Sequence, residues 1–278
     1  MTLLSFVCLV LLLSFFTGIV GALTGLGGGV LLIPILVLFL NVNMHYAMGA
    51  GLFAVMATSA GTAIAYLREG YINIRIGMFL EVAAAAGALA GAYATHLLSP
   101  HITQVIFGGI FLVMAYLSWR RKEELDAPTT AHPWANYLKL NGNYPTPQGM
   151  KSYFVSHVTA AFSMMGVAGV LSGLLGIGAG SFKVVAMDQA MRLPYKVSTS
   201  TSNFIIGITA AVSAGVFYQN GYINPIITFP VVIGVLLGAL LGARIMPKIP
   251  VKPLRLLFSV VILWLAIEMI NAGLRGLL

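Results

Sequence analysis

The stretch Leu3 to Ala22, "LLSFVCLVLLLSFFTGIVGA", carries no charged residue, and a helix needs about 20 apolar residues to cross a hydrocarbon core of roughly 30 Å. Comparable runs recur along the chain, so the element predicted to dominate is the membrane-spanning helix. Composition agrees: 59% of the 278 residues are hydrophobic and 8% charged, too little polar surface to cover a soluble domain. The formal charge of +8 comes from short connections between apolar runs and not from a basic arm, which argues against a nucleic-acid partner. Cys8 is the single cysteine, so there is no intrachain disulfide and no thiolate metal site. The first run could be read as a signal peptide ending in small residues at Val20 to Ala22. No Lys or Arg precedes it, and Tyr153 to Leu175 is its counterpart further on, so a retained first helix is the expectation.

That counterpart belongs to an internal duplication. A shift of 151 residues aligns Gly25, Gly27 and Gly29 with Gly176, Gly178 and Gly180, and Phe53, Thr58, Ala60 and Ala63 with Phe204, Thr209, Ala211 and Ala214. It also superposes two Gly-Tyr-Ile-Asn turns, Gly70 to Asn73 and Gly221 to Asn224, and then "GALAGA" on "GALLGA". Without a gap, 17 of 69 positions from Thr24 to Ala92 are identical, against roughly 8% expected for so biased a composition. Each half holds five apolar segments: 3 to 22, 27 to 40, 47 to 67, 76 to 98 and 102 to 119, then 153 to 175, 178 to 191, 198 to 218, 226 to 246 and 254 to 274. Residues 1–119 form a first transmembrane repeat and 153–278 a second. Residues 120–152, with Pro128, Pro133, Pro145 and Pro147, read as a surface loop joining them.

The basic residues choose the topology. If every segment is a separate leg, one side collects Arg68, Arg75, Arg120, Arg121, Lys122, Lys139, Lys151, Arg192, Lys196, Arg244, Lys248, Lys252 and Arg255, and the other keeps Arg275. The 120–152 loop is then cytoplasmic, both termini face outside, and an odd number of legs inverts the second repeat. The fold expected is an all-α polytopic membrane protein of two inverted-topology repeats. Its segments number ten, or eight full spans plus short glycine-broken legs. Inverted repeats are a mark of secondary transporters, whose substrate sits near the midplane where the repeats meet.

Two stretches carry the chemistry, "GALTGLGGGVLLIP" (Gly21 to Pro34) and "GLLGIGAGSFKVVAMD" (Gly173 to Asp188). Each breaks an apolar run with glycines and resumes with a leg of about 14 residues, near 21 Å and too short to span. Glycines opening a helix present free N–H groups and the positive end of its dipole, the outline of an anion site at Gly27, Gly28, Gly29, Gly178, Ala179 and Gly180. The alternative is that glycines only let helices approach closely, which is the preferred reading for "GALAGA" and "GALLGA".

Lys183 follows Gly180 by three residues, inside the membrane, where a cation is costly and reads as functional. It either meets substrate or coupling ion, or snorkels, or pairs with an acid such as Asp188. Asp188 has Arg192 four residues on. Glu81 either reaches the interface or exchanges a proton, so Glu81 and Asp188 are the candidates for proton coupling, with Glu268 a solitary further acid. Ser181 and, in "KVSTSTSNF", Thr201, Ser202 and Asn203 can donate to anion oxygens or cap and bond their own helix. His45, His96, His101, His132 and His157 lack metal-ligand spacing, and no cofactor or catalytic triad is indicated.

The doubled pattern, Gly25-Leu-Gly-Gly-Gly29 with Pro34 and Gly176-Ile-Gly-Ala-Gly180 followed by Thr201-Ser202, resembles the TauE/SafE family of sulfite and organosulfonate permeases. The resemblance covers nearly all of the chain outside 120–152. Ala179 replaces a glycine, Val185 a second proline and Gly49 to Gly51 a first Gly-Thr-Ser. The resemblance implies movement of sulfur oxyanions or small sulfonates across the cytoplasmic membrane. With the anion-site reading it predicts a secondary transporter of sulfite, thiosulfate, sulfate or a short sulfonate by alternating access. A channel or sensor on such a fold is the alternative, and an intramembrane enzyme lacks a convergent nucleophile, base or metal.

Overall fold

A computed structural model describes residues 2–120, 133–146, 149–245 and 251–277, with backbone alone for residue 64 and for 117–120 and 251–258. Arg121, Lys122, Pro128, His132, Pro147 and Lys248 of the sequence reading lie outside the described residues. The first half runs α1 (Leu3–Thr24), α2 (Gly29–Leu40), α3 (Met44–Arg68), α4 (Ile74–Thr95) and α5 (Pro100–Arg120). The connection holds α6 (Pro133–Tyr137) and strands β1 (Gly142–Thr146) and β2 (Gly149–Tyr153). The second half runs α7 (Val158–Leu175), α8 (Gly180–Val185), a π-turn (Ala186–Ala190), α9 (Tyr195–Gln219), α10 (Pro225–Ile245) and α11 (Val251–Arg275).

Helix boundaries recur at the spacing of the duplication. Met44 and Tyr195 open α3 and α9, Arg68 and Gln219 close them, and Thr24 and Leu175 close α1 and α7. Both broken legs begin after the same device: Gly25 and Gly176 take left-handed backbone at φ 76° and 69°, and each N–H donates to the carbonyl four residues back, Gly21 and Ser172. Only glycine adopts that conformation without steric cost, so the chain stops its helix there. Among the described residues α1, α3, α4, α7, α9 and α10 are long and apolar enough to cross a membrane, while α2 and residues 100–116 of α5 are shorter apolar helices. The chain is therefore an all-α polytopic protein in its membrane-spanning part.

Small residues decide the packing. Gly234, Gly238 and Gly242 of α10 abut Leu11, Phe15 and Ile19 of α1 in the same order, so the two run parallel. In the same way Gly87 and Gly91 of α4 abut Gly166 and Val170 of α7. A Cβ at Gly238 would lie 2.0 Å from Phe15 O, and one at Gly87 2.2 Å from Gly166 O. These glycines of "GALAGA" and "GALLGA" thus serve backbone approach, the means by which helices associate without a hydrophobic drive between them. The helices α3 and α9 cross at the centre in opposite directions. His45, at the start of α3, stacks on Tyr222 beyond the end of α9 at 4.6 Å, and Lys196, at the start of α9, lies over Tyr71 beyond the end of α3 at 5.6 Å. The two Gly-Tyr-Ile-Asn turns therefore close opposite ends of the bundle on each other's half.

The connection is more structured than the loop read from sequence. Asn73 Nδ2 donates to Leu140 O at 2.9 Å and to Tyr153 Oη at 2.8 Å, and its N–H donates to Thr201 Oγ1 at 3.1 Å. Arg75 donates to Lys139 O at 3.3 Å, and Ser156 reaches the carbonyls of Ala190 and Met191. These bonds hold α6 and the hairpin against the first Gly-Tyr-Ile-Asn turn. Burial pushes the Tyr153 phenol above its ordinary range, and the bond from Asn73 opposes that. Burial likewise raises Glu69, at the same end, while Lys196 lowers it.

Candidate functional site

The two glycine breaks meet. Val55 and Ile206, repeat equivalents near the middle of α3 and α9, both contact Gly27 and both contact Gly178. Gly180 packs on Gly25 O and Leu26, Gly51 touches Gly176 O, and Gly28 N–H donates to Thr58 Oγ1 at 2.9 Å. The contacts are tight: a Cβ at Gly178 would lie 2.8 Å from Val55, and one at Gly180 2.7 Å from Gly25 O. Glycine at these positions thus permits backbone convergence, and α2 and α8 start from one central seam. The second leg differs from expectation beyond that start. It is a helix of 6 residues continued by the π-turn, where α2 is one α-helix of 12 residues with Pro34 inside. π-turns concentrate at functional sites, and this one follows directly on Val185, the equivalent of Pro34.

Beside the seam lies a buried ion pair. Lys183 Nζ stands 3.0 Å from Glu81 Oε2, with the two side chains 0% and 4% exposed. Thr209 donates to Glu81 Oε1 at 2.5 Å and also lies in hydrogen-bonding contact with the Lys183 ammonium. The three come from α8, α4 and α9, and Thr209 sits one turn beyond Ile206 on α9. Two sequence alternatives are corrected here: Glu81 does not reach the interface, and the acid facing Lys183 is Glu81 rather than Asp188. Near its start Glu81 would be close to an interface if α4 lay against lipid, but α7 and α9 cover that face. The place related to it by the duplication is apolar, with Leu32 for Lys183 and Val232 for Glu81. There Thr58, the equivalent of Thr209, takes the backbone N–H of Gly28 instead.

The hydroxyl-rich start of α9 is buried from Val197 to Asn203. Ser202 donates to Gly180 O at 3.3 Å, joining α9 to the seam, whereas the Thr201 hydroxyl is engaged by Asn73 at the end of the bundle. Asn203 donates to Ala22 O, where Tyr66 also donates at 2.9 Å. The oxygens of Ser181, Ser198, Thr199, Ser200 and Asn203 Oδ1 are buried without a protein partner, a group of unmet polar atoms on the two elements that flank the seam. Asp188 is half-buried in the π-turn, five residues past Lys183. The structure thus gathers Gly27, Gly28, Gly29, Gly178, Ala179, Gly180, Ser202 and Lys183 around one centre with Glu81, while the Thr201 hydroxyl is engaged at the end of the bundle. Sequence reasoning missed Thr58 and Thr209 as site residues. Their identity across the duplication was the available signal. Among the described residues no group of three or more His, Cys, Asp or Glu could hold a metal ion.

An α-helical bundle that crosses the membrane repeatedly, breaks two helices at its centre and buries a lysine there has the construction of a membrane transporter. The comparisons agree. The model of the family described as Sulfite exporter TauE/SafE matches residues 10–269, and the chain belongs to that family. It is similar to "Probable membrane transporter protein YunE" of Bacillus subtilis (strain 168), 28% identical over 276 residues that cover 97% of this chain and 98% of that one. It is similar also to "Probable membrane transporter protein YdhB" of the same organism, 29% identical over 88% of this chain and 93% of the relative. A third relative, "Probable membrane transporter protein MJ0441" of Methanocaldococcus jannaschii, is 24% identical over 90% of each chain. No solved structure matches the chain significantly. The protein is an integral membrane transporter, not an enzyme.

Proposed function

We propose that the protein is a secondary transporter of a small sulfur-containing anion, a sulfite, thiosulfate, sulfate or short organosulfonate, working by alternating access across the cytoplasmic membrane. The observation that carries this reading is Lys183, a cation with no exposed surface placed beside the meeting point of two broken helices. A buried ion pair adds little to stability against an apolar replacement, and the apolar replacement is what the duplicated positions Leu32 and Val232 contain. Retaining charges at Lys183 and Glu81 supports a role in binding an anion. The sulfur class rests on the family's description. The substrate contacts proposed are Gly27 to Gly29, Gly178 to Ser181, Lys183, Ser202 and Asn203, with Thr201 at the rim on the side of the linker.

Alternating access is supported by the antiparallel crossing of α3 and α9 and by contacts that repeat on exchange of the halves, α1 with α10 as α7 with α4. In this reading two inverted repeats, residues 1–119 and 153–278, rock about the seam. The linker and Arg75, Lys139 and Lys196 lie at one end of the bundle, which supports a cytoplasmic linker and outward termini under the positive-inside rule. Uptake of labelled sulfite, thiosulfate, sulfate and methanesulfonate into proteoliposomes tests the substrate class. Movement of none of them rejects the class, and unchanged movement in Lys183→Ala rejects the site. Reporter tags placing residue 130 outside would reverse the orientation.

A further inference from the structure

Lys183 has one ammonium, and Glu81 and Thr209 already occupy it. An anion arriving at Lys183 would make a third charge in a place sealed from water. Net charge decides what the site can hold. With Lys183 and Glu81 ionised the cluster is neutral, and adding a monoanion would leave one uncompensated negative charge, whose burial is strongly unfavourable. Among the described residues no second cation is placed against the pair. Lys183 is the charged group facing Glu81 from α8, and Thr209 is the neutral one from α9. The third neighbouring helix, α7, contains no Asp, Glu, Lys or Arg. The ionisable groups of α9, Tyr195, Lys196 and Tyr218, sit at its two ends, as Arg75 and Tyr93 do on α4. Asp188 lies five residues past Lys183 in the π-turn.

We propose, resting on the anion-transport reading above, that substrate and Glu81 compete for Lys183, and that Glu81 takes up one proton for each monoanion bound. On binding, the anion replaces the Glu81 carboxylate at the Lys183 ammonium, and Glu81 Oε2 accepts a proton from water on the side to which the site is open. On release the proton leaves, and the Lys183 to Glu81 contact re-forms. The cluster is neutral at both stages, so the cycle is an electroneutral symport of one monoanion with one proton. A dianion such as sulfate would leave one negative charge even with Glu81 protonated. The site therefore selects singly charged sulfonates and hydrogensulfite over sulfate, which narrows the substrate class.

The test uses the full chain with methanesulfonate, a permanent monoanion, and sulfate as its comparison. In purified wild-type protein the apparent Kd for methanesulfonate should rise about tenfold per pH unit on the alkaline side, the linkage of one proton to one anion. In proteoliposomes one proton should enter per methanesulfonate, with no response of the rate to membrane potential. Glu81→Gln should bind with a Kd that varies less than about twofold over the same pH range, and it should carry no proton. Lys183→Met with Glu81→Gln removes both charges, retains a neutral cluster that can fold, and should bind neither ion. Methanesulfonate movement without protons, or a Glu81→Gln variant with wild-type pH dependence, overturns the exchange while leaving the transport reading intact. Failure of every sulfur anion to bind or move wild-type protein overturns the transport reading itself.

Discussion

Leu32 and Val232 occupy the repeat positions of Lys183 and Glu81, so the protein contains its own apolar version of the buried ion pair. Grafting that version across isolates what the charges cost and what they do. Lys183→Leu alone leaves the Glu81 carboxylate 4% exposed with only Thr209 to bond it. Glu81→Val alone leaves an ammonium with no exposed surface and no counter-charge. Breaking a buried pair from one side costs about 3–5 kcal/mol, which for a chain of this size lowers the melting temperature by on the order of 10 °C. The double variant removes both charges together, and Thr209 keeps its bond to Ile205 O at 3.3 Å. Replacing a buried pair by packed apolar groups is neutral or stabilising by about 1–4 kcal/mol, so the double should melt at or above wild type. Thermal unfolding of the detergent-solubilised protein, followed by intrinsic fluorescence, measures all three against wild type, and anion uptake should be absent from each. A double variant no more stable than the worse single would refute the reasoning, because the two charges would then not be each other's sole compensation.

Other outcomes follow from the geometry. Gly173→Ala would place a Cβ 2.0 Å from Ala88 O, forcing α7 from α4 and costing at least the 1–3 kcal/mol typical of overpacking, about what a melting curve resolves easily; Gly215→Ala, with open space at its Cβ, should instead stabilise by about 0.5–1 kcal/mol. Asn73→Ala removes the bonds to Leu140 and Tyr153 along with the α4 cap, and should speed proteolysis within 133–153. Asn224→Ala, which loses only the bond from Ile226 N–H, should not. Burial holds Glu69 above its ordinary 4.5, so folding loses stability as pH rises through its folded value. Glu69→Gln should therefore melt slightly higher than wild type at pH 7, and the difference should vanish below the ordinary carboxylate range; a constant difference across pH would point to packing instead of charge.

Much of the architecture is legible because it is local or repeated. The glycine pairs Gly25 with Gly176 and Gly27 with Gly178 mark the two breaks, and the structure adopts positive φ at all four. The site was half legible. Lys183 stands out as a cation in an apolar run, but nothing adjacent to it in the chain identifies its partner, and Glu81 reads equally well as an interfacial residue. The hairpin at 142–153 was hidden for a related reason. Its fold depends on Asn73 docking from 67 and 80 residues away, and a run rich in proline and glycine otherwise reads as loop.

The sequence by itself determined the course of the long apolar helices and their two glycine breaks, that the chain lives in a membrane and that it carries an internal duplication. Those properties are set by caps, by glycine's backbone freedom and by runs long enough to span lipid, all of which act within a few residues. Tertiary structure alone decided that the two breaks converge on Val55 and Ile206, and that Lys183 meets a carboxylate 102 residues away. Helices exclude water from one another only once packed, and a buried charge acquires its partner from whichever element that packing brings alongside.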